Sequence, residues 1–473
     1  MRLARNVAVS AGVLALTAAA AVAAGSASVA GAATSAHRAG GAFDPGVVLH
    51  TRHAQGQPPT TADCESAYKV ACYEPGQIQQ AYNLPVLYKR GVNGRGATIV
   101  IVDSFGSPTI KNDLATFDKT FSMPAPPSFK IIQPAGKVPP YNPSNSDMVG
   151  WAGETTLDVE YAHTIAPHAN ILLVETPVSE TEGVTGFPQI VKAEEYVIDH
   201  HLADVISQSF SATEQTFPSK KVLDGLRGAY QDAYRHHVTV LAAAGDSGAA
   251  NVGLDGSTYY LKPTTTWPPS DPLVTAIGGT QLHLDAKGDH TSPDTVWNDT
   301  YSVATNQFIF GDNGPNPLAG GGGKSIFFKR PSYQSLVRNV VGDSRGVPDI
   351  SMSGACNGAV DVYQSFGGEA AGWYPTCGTS EATPLFAGIV ALADQVAHRG
   401  LGLINPALYE LSAAHAPGIV DVTSGNNTVT FTQNGHTYTV KGASAKRGYD
   451  LASGVGTVNG AYFVPELALL AGH

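Results

Sequence analysis

Glu154 and Asp158 stand four residues apart in Gly153-Glu154-Thr155-Thr156-Leu157-Asp158, the spacing that sets two carboxyls on one face of a helix. On an open surface such a pair is an acidic, solvated face and no more. This segment, however, runs into Ile165-Ala166-Pro167 and the apolar stretch Asn170–Val174, which predicts a helix packed on a sheet. Two carboxyls buried together share a proton and titrate as a unit, with their pKa values pushed apart. Ser380, in Gly378-Thr379-Ser380-Glu381-Ala382-Thr383-Pro384, stands just before an apolar helical run. A serine there is ordinarily a helix N-cap. It is also a place where a hydroxyl can serve as a nucleophile, with free backbone N–H groups to meet an oxyanion. Asp246, in Gly245-Asp246-Ser247-Gly248, directly follows the apolar run Val238–Ala243. Alone it reads as an Asp-Ser-Gly turn; at the C-terminal end of a parallel strand it would lie in the crevice where α/β proteins hold ligands.

These residues need elements to position them. Thr98–Val102, Asn170–Val174, Asp204–Ser207 and Val238–Ala243 are short apolar runs of the kind buried parallel strands show. Helical spacing fills the gaps, from Ile190 to Ile198 and again at Leu223, Leu226, Tyr230 and Ala233. Strands and helices alternating in this way predict an α/β fold, a mostly parallel sheet with helices on both faces. Leu385–Leu392, apolar all round with Gly388 allowing close approach, predicts a buried helix. From about Pro75 the chain reads as one continuous domain. Beyond about Leu403 its Gly-, Asn- and Thr-rich texture predicts a loop-rich cap on the main sheet.

The 473 residues are 43% hydrophobic and 14% charged, with a formal net charge of −11, which is ample for a sizeable core. Basic residues form only short pairs such as Lys220-Lys221, so a nucleic-acid partner is not expected. Arg2 and Arg5 precede an apolar run from Val7 to Ala24, with small residues through Ala33. That layout predicts a signal peptide over residues 1–33, with an uncleaved membrane anchor as the alternative. Residues 34–72 read as a leader or linker. Secretion, without membrane attachment of the mature form, is the expectation, and it permits disulfides. Cys64, Cys72, Cys356 and Cys377 allow three pairings. Nearness in sequence favours Cys64–Cys72 with Cys356–Cys377, and no Cys-x-x-Cys or paired Cys/His spacing supports a zinc site.

Together these segments resemble the sedolisin family of serine-carboxyl peptidases, which share the subtilisin fold. The likeness runs from about Tyr73 to the C-terminus. It includes Gly94-Arg95-Gly96-Ala97-Thr98-Ile99-Val100-Ile101-Val102-Asp103, Ile206-Ser207-Gln208-Ser209-Phe210 and Val274-Thr275-Ala276-Ile277-Gly278-Gly279-Thr280. Gly321-Gly322-Gly323, Arg330-Pro331-Ser332-Tyr333-Gln334 and Val347-Pro348-Asp349-Ile350-Ser351 continue it. The resemblance implies one large subtilisin-like catalytic domain over residues 73–473, acting on polypeptide substrates at acidic pH; a monomer is the expectation. Position by position it makes Ser380 the nucleophile and Glu154 its general base. Asp158 becomes the carboxyl that orients Glu154 and shares its proton, and Asp246 the protonated acid that donates to the oxyanion beside the Ser380 backbone N–H. A carboxylate remains a base at acid pH, where a histidine is charged, and an Asp donates only while protonated. The rival readings are a secreted binding protein that keeps the fold without catalysis, and a subtilisin-type protease of neutral pH.

The same resemblance implies one structural calcium ion. Asp421 and Asp450 would supply carboxylates, and Val422, Lys446 and Gly448 backbone carbonyls, the all-oxygen set that Ca2+ prefers. Lys446 stands where the family commonly has Gly. Only residues 34–72 separate the expected signal peptide from the catalytic domain, where the family commonly makes a long folded pro-domain. Asp103, in Ile101-Val102-Asp103-Ser104, looks like the strand that carries the catalytic Asp of subtilisins. That reading requires a His where Glu154 stands, so Asp103 is expected to be structural, and His163 and His168 lie at the wrong offsets.

Overall fold

The computed structural model describes residues 47–48, 56–368 and 370–471; the signal peptide expected over 1–33 lies outside them. Strand and helix alternate as β1 (Thr98–Ser104), α1 (Ile110–Phe121), β2 (Phe129–Ile132), α2 (Ser146–Ile165) and β3 (Asn170–Thr176). There follow α3 (Phe187–Asp199), β4 (Val205–Gln208), α4 (Gly228–Arg235), β5 (Thr239–Ala243) and β6 (Thr275–Gln281). The last are β7 (Thr295–Val296), β8 (Ile350–Ser353), α5 (Thr379–Ala397) and α6 (Gly460–Leu470). The strands make one sheet in the order β7-β6-β5-β4-β1-β3-β2, with β8 also paired to β6. Every pairing in it is parallel except that of β7.

Alternation along the strands sends Ile99, Ile101, Ile171 and Leu173 to one face, against Leu157 and Ile165 of α2 and Leu385 and Ile389 of α5. Val100, Val102, Leu172 and Val174 point to the other, against Ile190 and Val197 of α3 and Ala229 and Tyr230 of α4. Burial on both faces is why these strands read as unbroken apolar runs. α5 lies against α2, and Gly388 makes the approach possible, because a Cβ there would fall 2.4 Å from Ile165 Cβ.

Some expectations change in detail. The helix expected through Leu223 to Ala233 is broken, with a short helix Lys220–Asp224 and then α4 from Gly228. Arg227, in the break, turns its guanidinium to Asp271, Nη2 to Oδ1 2.9 Å. The tail is more regular than its texture implies. It holds a helix Asn405–Ala413, the hairpin Val429–Gln433/His436–Val440 and α6. Asn434 and Gly435 turn the hairpin at φ 52° and 76°, the paired positive values that a two-residue I′ turn demands.

A second sheet orders Val47–Val48, Gly372–Cys377, Ala359–Gln364 and Cys72–Tyr73, and its strand Gly372–Cys377 leads directly to α5. The expected leader therefore contributes to the fold, since Thr61–Tyr68 is a helix and Cys72 opens a strand. Cys64–Cys72 and Cys356–Cys377 are both bonded. Val70 joins Cys356, Cys377 and Trp297 in a small core that anchors this corner. No helix among the described residues is long and apolar enough to cross a membrane.

Candidate active site

The C-terminal ends of β1, β4 and β5 meet the N-terminus of α5 and one face of α2. At that junction each residue of Gly378-Thr379-Ser380 has a separate task. Gly378 has φ +124°, and a Cβ on it would lie 2.7 Å from Asp246 Oδ2, so only glycine both makes the turn and leaves room for the carboxyl. Thr379 holds that carboxyl, its backbone N–H and its hydroxyl each donating to Asp246 Oδ1 at 2.7 Å. Gly245 N–H donates to the same threonine hydroxyl at 3.1 Å. Asp246 is thereby fixed against the first turn of α5.

Ser380, 2% exposed, follows immediately. Its hydroxyl donates to the Ser209 carbonyl at 3.4 Å. Four residues on, Pro384 sits inside the helix and has no N–H to offer the Ser380 carbonyl. The Ser209 hydroxyl fills that gap, 3.3 Å from Ser380 O.

Asp158 is fully buried, with Oδ1 at 2.8 Å from the same Ser209 hydroxyl. Burial pushes its carboxyl well above the usual carboxylate range, and the nearby Asp103 and Glu154 charges push further, against the Ser209 hydrogen bond. The Ser209 hydroxyl has one hydrogen for two acceptors, Asp158 Oδ1 and the Ser380 carbonyl, of which the carboxyl oxygen is the nearer. Glu154, one turn earlier on α2, is buried as well. The acidic pair is thus an interior pair, not a solvated helix face.

Asp103 belongs to this cluster more closely than a structural residue would. It is 1% exposed, and burial lifts it to about 7, with the Thr155 hydroxyl opposing and Glu175 adding to the rise. It also raises Asp158. His163 is engaged elsewhere, at 3.2 Å from Asp118 of α1 and 2.8 Å from the Pro124 carbonyl. Ser209 and the Thr379 clamp were not singled out from sequence. The rule that picks out Asp246, a polar residue just past the end of a parallel strand, also picks out Ser209 after β4.

In the C-terminal region, Asp421 and Asp450 both bind the loop Lys446–Asp450. Gly448 N–H donates to Asp421 Oδ2 at 2.8 Å, and Lys446 N–H to Asp450 Oδ2 at 2.9 Å. Ala452 and Ser453 N–H groups hold Asp450 Oδ1, each at 2.9 Å. Gly448 takes φ +75°, while Lys446 stays out of the left-handed region, so lysine is unstrained where glycine is common. Val422 beside Asp421 is buried. Two carboxylates held to one loop, with its backbone carbonyls, are the oxygen donor types that a hard cation such as Ca2+ takes.

The sequence matches the subtilase family over residues 141–416. It is 30% identical over 387 residues to kumamolisin of Bacillus sp. (strain MN-32), across 80% of this chain and 61% of that protein. To sedolisin of Pseudomonas sp. (strain 101) it is 28% identical over 282 residues, across 59% of this chain and 43% of that protein. The chain therefore spans 61% and 43% of the lengths of these two relatives. A solved structure of Pseudomonas sedolisin, complexed with two molecules of pseudo-iodotyrostatin, superposes with a TM-score of 0.67. The superposition covers 85% of this chain and 99% of that one at 23% identity, a likeness of fold.

Proposed function

Since the chain belongs to the subtilase family, and within it to the sedolisins, we propose that it is a secreted serine-carboxyl peptidase acting on polypeptides at acidic pH. The observation that carries this is the clamping of Asp246 by Thr379, one residue before Ser380, opposite the buried carboxyls of α2. Ser380 Oγ attacks the scissile carbonyl carbon and its proton passes to Glu154. Asp158, kept neutral by burial, orients Glu154 and shares the proton. The oxyanion receives the Ser380 backbone N–H and the proton on Asp246. Glu154 then protonates the departing amine, and water cleaves the acyl-enzyme by the reverse sequence. Burial that holds carboxyls protonated favours acid over a neutral, histidine-type mechanism. The two disulfides support an oxidising, extracellular setting. Asp421, Asp450 and the carbonyls of Val422, Lys446 and Gly448 would hold one calcium ion, which supplies rigidity to the tail and takes no part in the chemistry.

The deciding experiment is Ser380→Ala, assayed on a denatured protein from about pH 3 to about pH 8. Proteolysis should fall at least about a thousandfold with the fold intact by circular dichroism. Near-full activity in the variant, or no activity in the wild type, would remove Ser380 or the enzyme reading respectively. An optimum near about pH 8 would return the neutral subtilisin-type reading.

A further inference from the structure

Beside the proposed site a cleft of about 160 Å³ opens at the C-terminal ends of β1, β2 and β3, walled by Phe105, Gly106, Gln133, Tyr141, Met148 and Glu175. Glu175 stands in register with Asp103 of β1, one strand away, and the charge of Asp103 in turn raises Asp158 of the proposed site. Gly106 gives this carboxyl its place. At φ +73° its missing Cβ would fall 2.2 Å from Glu175 Oε1, a position no other residue leaves open. Gln133 fixes the other oxygen. Its Nε2 donates to Glu175 Oε2 at 2.7 Å, while its Oε1 is held by Val138 N–H at 3.1 Å, so the amide cannot flip. Tyr141 closes the rim by donating to the Gly367 carbonyl.

Glu175 is only 7% exposed, and among the described residues no Lys, Arg or His pairs with it. A carboxylate so enclosed is costly unless a cation or several donors meet it. One amide is not enough. We propose that this cleft is a substrate subsite that takes a basic side chain, lysine or arginine, of the polypeptide being cleaved, and that Glu175 selects it. The assignment rests on the peptidase reading above. Burial raises the affinity of Glu175 for a proton, with Gln133 working against it. Asp103 and Tyr141 are the other titratable groups that face it. The preference for a basic residue therefore grows with pH as Glu175 ionises, a signature that a purely structural glutamate would not give.

The test walks one lysine through successive positions of a single peptide, each against norleucine, and compares kcat/KM within each enzyme. At one position the wild type should favour lysine by about tenfold near pH 6 and by less near about pH 4. The ratio should approach one in Glu175→Gln, whose amide still accepts from Gln133, and largely persist in Glu175→Asp. N-acetylated peptides should behave alike. The assignment is overturned if Glu175→Gln keeps the lysine ratio, if no position shows one in the wild type, or if N-acetylation abolishes it, since the last identifies the amino terminus as the cation. Calorimetric binding of the same peptides to Ser380→Ala reads the preference without cleavage, so failure of the subsite and failure of the peptidase reading give different results.

Discussion

Ser209 puts one hydroxyl between Asp158 Oδ1 at 2.8 Å and the Ser380 carbonyl at 3.3 Å, and so ties the acidic pair to the backbone of the proposed nucleophile. Its hydrogen bond is what opposes the rise of the Asp158 pKa. In Ser209→Ala that opposition is lost and Asp158 holds the shared proton more tightly. The alkaline limb of the rate profile, where that proton is lost, should then move to higher pH, with kcat down about tenfold and little change in melting temperature. A lower melting temperature with an unmoved profile would make Ser209 a packing residue only. Glu154, Asp158, Asp246 and Ser380 are legible in the sequence as candidates, because they stand in ordered segments that resemble the sedolisins. Ser209 is not, since its partners lie 51 and 171 residues away, and Asp103 is legible only as a strand end until the sheet brings it to Asp158.

At the scale of elements, β1, β3, β4 and β5 are readable because burial on both faces leaves one apolar run in each. The break at Gly225-Leu226-Arg227 is not, because the apolar spacing continues across it and the cause is a side chain drawn to Asp271. The tail hides a hairpin for a similar reason. Thr430 pairs with Thr439 and Thr432 with Thr437 across it, so its strands look like loop. The loop Lys446–Asp450 is pinned by two carboxylates that accept four backbone N–H groups between them. If a calcium ion joins them, its removal should cost stability by linkage, about 2.7 kcal/mol at a hundredfold excess over Kd. A chelator should then lower the melting temperature by a few degrees, and Asp421→Asn should make the protein insensitive to it. An unchanged melting temperature together with no calcium by elemental analysis would end the assignment.

Among the described residues, several acids are buried without a paired cation. Asp158, Glu160, Glu180, Glu194, Asp361 and Glu381 all lie well above the ordinary carboxylate range, burial being the first cause in each. Burial likewise lifts Asp299 to about 6, Asp103 to about 7 and Glu182 to about 8. Asp349, by contrast, is met by Arg345 through a buried two-point contact. A folded pKa above the unfolded value means that the native chain keeps protons the unfolded chain releases. The stability these groups contribute is fully present below about pH 4. It is lost as pH rises through the folded values of about 6, 7 and 8, at up to about 1.4 kcal/mol per unit for each group. Thermal unfolding of Ser380→Ala, chosen so that autolysis cannot intervene, should therefore show a melting temperature that falls steadily from about pH 4 to about pH 8. Glu194 is the cleanest single probe, a buried residue of α3 with neither carboxyl oxygen hydrogen-bonded among the described residues. Glu194→Gln should leave stability at acid pH nearly unchanged and raise it near neutrality, because the amide never has to be buried as an anion. A wild-type curve that is flat, or that climbs toward neutral pH, would show that these carboxyls are solvated or paired in solution, and the acid-adapted interior would have to be abandoned.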